Sequence, residues 1–227
     1  INWTELIDYL KKQGFTYKEM IDAGVAQQKN GRYYDVMAER LVFPIFNSFN
    51  ECIGFSARVL GQSDYAKYKN TAETLVFQKG RVVFAINLVK ALKQKSGLDK
   101  IIIVEGQIDV IAMHKAGFKN TVACMGTALT KENAHELKKL SNNVVLCFDG
   151  DTAGEKATIR SIDILKEEGF NITIVSLPDK HDPDEVLKEY GKDYLNNLIN
   201  NALPVTDYLI QSELKKFNLD KPDEKGK

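Results

Sequence analysis

The pattern of apolar and polar positions changes along the chain. From residue 99 onward, short β-branched runs alternate with segments whose apolar residues recur at helical spacing. The runs predict strands at 101–105, 121–124, 144–148 and 171–176, and helical spacing predicts helices at 82–97, 107–116, 131–140, 153–168 and 184–217. Strands that alternate with helices of this length are typical of βαβ units, so the region predicts an α/β fold built on a parallel sheet.

The first part of the chain predicts a mixed α+β structure. Residues 1 to about 30 predict helices, and Thr16-Tyr17-Lys18-Glu19 has the pattern of a capping box at the start of a second helix. Apolar runs at 41–46 and 52–59, joined by a polar turn, predict a hairpin. Pro44 cannot donate a ladder hydrogen bond, so it places the first of these strands at an edge.

Carboxylates follow three of the predicted strands. Glu105 ends one strand and Asp109 falls in the first turn of the next helix, while Asp149 and Asp151 follow a second strand and Asp182-Pro183-Asp184 follows a third. Ligands bind beyond the carboxyl ends of parallel strands, so these acids are expected to converge there. They would repel one another unless a cation held them. Oxygen ligands without His or Cys suit Mg²⁺ or Mn²⁺ and not zinc.

Each acidic motif also has a simpler interpretation. Asp109 could be an ordinary helix N-terminal charge, Asp149-Gly150-Asp151 a surface turn, and Asp182-Pro183-Asp184 the start of a helix. Their occurrence at successive strand ends favours a metal-dependent phosphoryl-transfer site. A water nucleophile would make this site a nuclease, and a ribose 3′-hydroxyl would make it a polymerase. The acids alone do not choose between these two.

Composition narrows the class of protein. The 227 residues carry no formal net charge, so contact with nucleic acid requires a local basic patch. Three isolated cysteines exclude a zinc ribbon and fit a reducing compartment. The sequence contains no apolar stretch long enough to span a membrane and no signal peptide. It begins with Ile1 and ends in the charged run 220–227, so we expect it to be part of a longer polypeptide.

One segment has the composition of a nucleic-acid contact. Residues 40–81 contain six basic and three acidic residues, with Tyr65 and Tyr68 among them. Basic residues mixed with aromatic ones suit a phosphate backbone and stacked bases, although a solvated loop has the same composition. Two further features stay open: His181 could reach a phosphate, and Gly126–Thr130 could present amides to a phosphate or simply cap a helix.

These motifs resemble a known family. Glu105-Gly106-x-x-Asp109 followed by Asp149-x-Asp151-x-x-Gly154 resembles the Toprim domain of primases, topoisomerases and some nucleases. A narrower resemblance is to bacterial DnaG-type primases. It is carried by 104–111, 126–130, 148–154 and 182–184 and, upstream, by 40–45, 54–61, 67–70 and 77–81.

The resemblance implies a fold and a division of the chain. Residues 1–80 would be the basic α+β subdomain of the primase core, 81–190 the Toprim metal-binding domain, and 191–227 the start of a helical subdomain. The family's zinc-binding and helicase-binding domains are not among these residues. Gln107-Ile108 and Thr152 depart from the usual family pattern, but neither position is a metal ligand.

The resemblance also implies an activity and a set of site residues. The chain would synthesise RNA primers on single-stranded DNA from nucleoside triphosphates, at the cytoplasmic replication fork, with a replicative helicase as partner. Glu105 would be the general base or a metal-organising acid. Together with Glu105, the acids that would hold one to three Mg²⁺ or Mn²⁺ ions are Asp109, Asp149, Asp151, Asp182 and Asp184. The residues that would contact template or nucleotide are Arg58, Lys67, Tyr68, Lys79 and Arg81.

Two other functions remain as alternatives. A Toprim nuclease would cleave the DNA, and the basic segment argues mildly against it. A non-catalytic nucleic-acid clamp would leave the acids as a solvated rim. A topoisomerase is disfavoured, because no tyrosine stands in a setting that marks it as a covalent nucleophile.

Overall fold

The computed structural model describes residues 3–61, 66–125 and 128–214. The chain forms two compact units, residues 1–82 and residues 83–227. Sequence predictions that fall on Tyr65, Gly126, Thr127 and the terminal run 220–227 lie outside the described residues.

The first unit begins with two short helices and a hairpin. These elements are α1 (Glu5–Lys12), α2 (Tyr17–Asp22), β1 (Ala26–Lys29) and β2 (Arg32–Asp35). The capping box is confirmed, because the Thr16 side chain accepts from the Glu19 amide at 3.2 Å and the Thr16 amide donates to Glu19 at 2.7 Å. The helical prediction is wrong for 26–29, which is a strand. Asn30 and Gly31 have φ angles of 51° and 75°, the left-handed values that a two-residue hairpin turn requires.

The rest of the first unit is a three-stranded antiparallel sheet. Its strands are β3 (Arg40–Phe46), β4 (Cys52–Val59) and β5 (Tyr68–Asn70), in the order β3-β4-β5. The predicted hairpin and the edge position of Pro44 are confirmed. A 3-10 turn at Lys79–Arg81 follows. Phe77 packs this segment onto β4, where a side chain on Gly54 would lie 2.8 Å from the Phe77 ring.

The second unit is the predicted α/β fold. Its elements are β6 (Val83–Phe84), α3 (Ile86–Ser96), β7 (Lys100–Val104), α4 (Gln107–Ala116), β8 (Thr121–Cys124), α5 (Lys131–Lys138), β9 (Asn143–Leu146), α6 (Thr152–Glu167), β10 (Asn171–Ile174), α7 (Pro183–Glu189), α8 (Gly191–Asn200), β11 (Leu203–Pro204) and α9 (Val205–Leu214). The strand order is β11-β10-β9-β7-β8-β6. The four inner strands are parallel, and the two-residue strands at the edges are antiparallel.

Two predicted helices need correction at these edges. The helix predicted at 82–97 begins at Ile86, because residues 83–84 pair with β8 instead. The helical region predicted at 184–217 is interrupted by β11, which pairs with β10. Two residues are too few to show the alternation of apolar and polar positions that marks a strand. The sequence pattern therefore assigned these residues to the adjacent helix.

Helices cover both faces of the sheet. Ile101 and Ile103 of β7 face one apolar layer with α3, α5 and α6, while Ile102 and Val104 face a second layer with α4, α7 and α8. Burial on both faces explains why the strand sequence is a continuous apolar run. Among the described helices, none is long and apolar enough to cross a membrane.

Candidate active site

The acidic residues lie beyond the carboxyl ends of neighbouring parallel strands. β9 pairs with β7 on one side and with β10 on the other, so the three chain segments that follow these strands meet at the same edge. Glu105 and Asp149 are in direct contact there, because the Asp149 amide donates to Glu105 Oε1 at 3.2 Å. The sheet topology therefore brings together acids that are 44 residues apart in sequence.

Asp109 is a buried carboxylate in the first turn of α4. Its Oδ2 atom accepts from the Gly106 amide at 3.0 Å. Burial and, after it, the negative charge of Asp182 raise the pKa of Asp109 to about 7, while the Gly106 N–H opposes the shift. Burial also raises the pKa of Glu105, against the opposing effect of the Asp149 N–H. Both groups lie in surroundings that disfavour negative charge when no cation is present.

Asp149 is the least satisfied member of the group. Burial, followed by electrostatic repulsion from Glu105 and then Asp109, raises the pKa of Asp149 to about 7. Its Oδ1 atom is buried and has no hydrogen-bond partner. Buried carboxylate oxygens are normally paired with donors or bound to a cation. This oxygen therefore has the environment of a metal ligand.

The remaining three acids are engaged by local structure. Asp151 caps α6 by accepting from the Gly154 amide at 2.8 Å. Asp182 caps α7 by accepting from the Glu185 amide at 2.7 Å. Asp184 accepts from Lys188 Nζ at 2.5 Å. A carboxylate has a second oxygen, so the two capping contacts leave ligand capacity at Asp151 and Asp182.

The oxygen donors of these acids suit a divalent cation, but the side chains do not converge on one metal position. Within 3–61, 66–125 and 128–214, no three His, Cys, Asp or Glu side chains converge on one metal position. The donors are hard oxygens, one of them buried without a partner, and their mutual repulsion would be relieved by a cation.

Two glycines make that backbone possible. A Cβ atom on Gly150 would lie 2.2 Å from the Pro178 carbonyl oxygen, and one on Gly154 would lie 2.2 Å from the Asp149 carbonyl oxygen. No side chain fits at either position without moving the backbone. Segment 178–181 therefore lies directly against the turn that carries Asp149 and Asp151.

Two other sequence candidates have structural partners. The His181 ring contacts the Asp179 carbonyl oxygen and Glu189 Oε2, each at 2.8 Å. Thr130 caps α5 by accepting from the Asn133 amide at 3.0 Å, which fits the simpler interpretation of the described part of that loop.

A polar cavity beside the acids was not predicted from sequence. It measures about 180 Å³ and is lined by Asp149, Asp151, Glu155, Tyr208 and Ser212, among others. Ser212 is buried on α9 and donates to Glu155 on α6. The two residues are 57 positions apart. No local pattern in the sequence links them.

The basic candidates belong to the first unit. Arg58 and Tyr68 are cross-strand neighbours, and the guanidinium carbon of Arg58 lies 5.7 Å from the centre of the Tyr68 ring. Lys67 is exposed directly before Tyr68. On the same sheet, burial lowers the pKa of Lys69, and Arg40 lowers it further. These contacts place positive charge beside an aromatic ring.

Lys79 and Arg81, the other two basic candidates, lie in the 3-10 turn that follows the sheet. The Lys79 amide donates to Glu73 at 2.9 Å, which fixes the backbone at the start of this turn. The Arg81 side chain is exposed.

The strand order, the glycine-lined turn and the strand-end acids define a Toprim class of α/β domain. A family model described as "Toprim-like" matches residues 102–187, which contain all six acids. A second model, "DNA primase catalytic core, N-terminal domain", matches residues 1–90, which include the basic sheet.

Individual relatives agree with both models. A DNA primase of Clostridium acetobutylicum is 43% identical over 96% of this chain and 36% of its own length. A DNA primase domain from Pseudomonas aeruginosa is 34% identical, with a TM-score of 0.82 over 96% of this chain and 70% of that one. A DnaG primase catalytic domain bound to single-stranded DNA is 31% identical, with a TM-score of 0.83 over 99% and 73%.

The chain belongs to the DnaG-type DNA primase family and corresponds to its catalytic core. It spans about a third of the length of the curated relatives that it matches.

Proposed function

We propose that this chain is the polymerising part of a primase, which joins ribonucleotides into short primers on single-stranded DNA. The observation that carries the proposal is the group of buried, mutually repelling carboxylates at the carboxyl edge of a parallel sheet, with an unpartnered oxygen on Asp149. Membership of the primase family supports polymerisation over hydrolysis.

The acids would act as a divalent cation site. Asp109 and Asp149 would be the inner ligands, since their burial and repulsion are relieved by positive charge. Asp151, Asp182 and Asp184 would complete the site when their side chains rotate. One to three Mg²⁺ or Mn²⁺ ions are compatible with this many oxygens. The bound metal would supply charge neutralisation for the triphosphate.

Glu105 would accept the proton of the attacking hydroxyl. Its Oε1 atom is occupied by the Asp149 amide, so Oε2 is the acceptor. The primer 3′-oxygen forms the new bond to the α-phosphorus, its proton passes to Glu105, and pyrophosphate leaves with the electrons of the broken P–O bond. The hydrogen bond from the Asp149 amide, at the end of the neighbouring strand, would keep the Glu105 carboxylate aligned with the nucleotide.

The basic residues of the first unit would bind the template and the incoming nucleotide. Arg58 and Tyr68 offer a cation beside a ring, a combination suited to a phosphate and a stacked base. Lys67, Lys79 and Arg81 would add phosphate contacts. A relative described as bound to single-stranded DNA supports this assignment. For the whole protein, we include nucleoside triphosphates and a replicative helicase at the fork among the proposed partners.

Each proposed domain would have its own function. Residues 1–80 would hold nucleic acid, residues 81–190 would carry the chemistry, and residues 191–227 would begin a helical subdomain.

A single gel tests the function. The chain is incubated with Mn²⁺ or Mg²⁺, labelled ribonucleotides and single-stranded DNA, beside Glu105→Gln. Short RNA products that disappear in the variant are the expected result. Shortened DNA would replace the proposal with a nuclease. If the gel shows neither product, DNA binding and stability are compared for wild type and Glu105→Gln. If the substitution changes neither of them, the acids are a solvated surface feature of a non-catalytic clamp.

A further inference from the structure

The turn that carries Asp149 and Asp151 is fastened to segment 178–181 by two reciprocal hydrogen bonds. The Gly150 amide donates to the His181 carbonyl oxygen at 2.9 Å, and the Lys180 amide donates to the Gly150 carbonyl oxygen at 2.9 Å. Both polar groups of the Gly150 backbone are therefore committed to this segment. The position of the two flanking carboxylates depends on where the segment lies.

The His181 side chain fastens the same segment to helix α7. Nδ1 lies 2.8 Å from the Asp179 carbonyl oxygen, and Nε2 lies 2.8 Å from Glu189 Oε2. Both partners are hydrogen-bond acceptors, so each ring nitrogen faces a group to which an N–H can donate. Tyr190 flanks the ring, with the two ring centres 5.7 Å apart. Glu189 is the last residue of α7, whose first turn carries Asp184.

Segment 178–181 includes a backbone conformation that is unfavourable without tertiary contacts. Lys180 has a φ angle of 62°, in the left-handed region that favours glycine. Such a conformation persists where surrounding contacts determine it. The contacts are the pair of bonds to Gly150 on one side and the His181–Glu189 bond on the other. Removing the side-chain bond would let the segment relax and loosen its hold on Gly150.

We propose that the His181–Glu189 pair is a positioning element for the Asp149-Gly150-Asp151 turn. The inference rests on the proposed cation site, which it extends to residues that do not themselves bind metal. Contacts behind a metal ligand fix its orientation, and their loss typically weakens metal binding by about 10- to 100-fold. His181 thus acts through the backbone of Gly150 on the carboxylates at either side.

The first test needs no metal. Amide hydrogen exchange in EDTA is compared for wild type, His181→Ala, Glu189→Ala and the double variant. The Gly150 amide is expected to exchange about tenfold faster in each single variant than in wild type, as for the loss of one charge-assisted hydrogen bond. The double variant should exchange no faster than the single variants, because both substitutions remove the same bond. His181→Arg keeps two N–H donors and should restore protection. Lys131→Ala, which breaks an exposed ion pair with Glu167, is the matched control.

The second test measures Mn²⁺ affinity of the same proteins by calorimetry. His181→Ala and Glu189→Ala are expected to weaken binding about tenfold, with partial recovery in His181→Arg and no change in Lys131→Ala. Faster exchange with unchanged Mn²⁺ affinity would make the pair merely structural and overturn the proposal, as would unchanged exchange. Absence of Mn²⁺ binding in wild type would instead contradict the proposed cation site, while the exchange data would still decide whether the pair positions the turn.

Discussion

Two buried aspartates, one in each unit, occupy opposite electrostatic environments. Asp35 at the end of β2 is 6% exposed, and Asp109 is 7% exposed. The Asp35 carboxylate accepts from the amides of Leu6 and Ile7 at 2.8 and 3.0 Å, in the first turn of α1. Asp109 accepts from one amide and faces the charges of other acids. The two carboxylates are therefore equally buried, but Asp35 is paired with two amide donors, whereas Asp109 is repelled by neighbouring acids.

The difference distinguishes a structural acid from one that we propose to be functional. Asp35 closes the N-terminus of a helix, where amide donors and the helix dipole favour negative charge. Asp109 and Asp149 have raised pKa values, so their surroundings disfavour the charged form, and a nearby cation would favour it. The number of donors and the sign of the neighbouring charges, rather than burial, identify the site. Substitution by the neutral isostere Asn turns this comparison into measurements.

The largest effect is expected for Asp149→Asn on primer synthesis. Losing a proposed cation ligand in contact with the proposed general base should reduce the rate by at least about 100-fold, since metal stabilisation of the transition state is worth several kcal/mol. The rate is measured with saturating Mn²⁺ on single-stranded DNA. Asp163→Asn, at an exposed acid on α6, is the control and should retain the wild-type rate. Equal rates in the two variants would remove Asp149 from the site.

The next largest effect is expected for Asp35→Asn on the first unit. The substitution leaves one of two buried helix amides without its charged acceptor, so the free energy of unfolding should fall by about 2 kcal/mol. Urea denaturation, followed by a probe in the first unit, measures the change. Asp22→Asn breaks only the exposed pair with Lys18 and should shift nothing measurable. An unchanged midpoint for Asp35→Asn would show that water satisfies these amides equally well.

Asp109→Asn should change stability in the opposite direction. Without metal, the neutral amide removes a buried repelled charge and can still accept from Gly106, so the free energy of unfolding should rise by about 1 kcal/mol. The measurement is thermal unfolding in EDTA and again in Mn²⁺. Wild type should gain stability from Mn²⁺ and the variant should gain less, because it has lost a ligand. Destabilisation in EDTA would place Asp109 in the same category as Asp35.

The sequence was sufficient for the four parallel strands of the sheet and for the edge at which the candidate acids lie. Continuous β-branched runs and helical spacing predicted β7 to β10 and α4 to α6 to within a few residues. Acids after three of the four parallel strands predicted one shared edge, since parallel topology brings strand ends together. The hairpin at β1 was missed because Gln27, Gln28 and Lys29 show no alternation of apolar and polar residues. The two-residue strands at the sheet edges carry too little pattern to be seen.

Contacts between distant residues could not be predicted in the same way. The donors to Asp35 lie 28 and 29 residues away, and the Ser212–Glu155 contact spans 57 residues. The start of a helix at Asp182 was one of the interpretations that the sequence offered, but the sequence did not show that Asp151 would use one oxygen to cap α6. Such assignments depend on tertiary placement, whereas strand and helix patterns are local. The candidate ligands were therefore predicted as a set, and their individual environments were not.

The smallest expected effect concerns a half-buried base, His114, on α4. Its Nε2 atom lies 2.8 Å from the Thr121 carbonyl oxygen, so the neutral ring donates there and is already satisfied. Burial lowers the pKa of His114, and Lys119 lowers it further, against the opposing effect of that carbonyl. Above the unfolded-state pKa of about 6.5, both states are neutral and the residue adds no pH dependence.

Acidification should therefore destabilise the fold through this ring. Below about pH 6.5 the unfolded chain takes up the proton more readily than the folded one, so stability falls with pH until the lower folded pKa is passed. His114→Gln retains an amide donor and cannot titrate, so its stability should fall less than that of wild type between pH 7 and pH 5. Urea midpoints at the two pH values measure the difference. Parallel losses in both proteins would mean that the ring is as easily protonated in the fold as in water, and that burial alone is as poor a guide for a base as it is for Asp35.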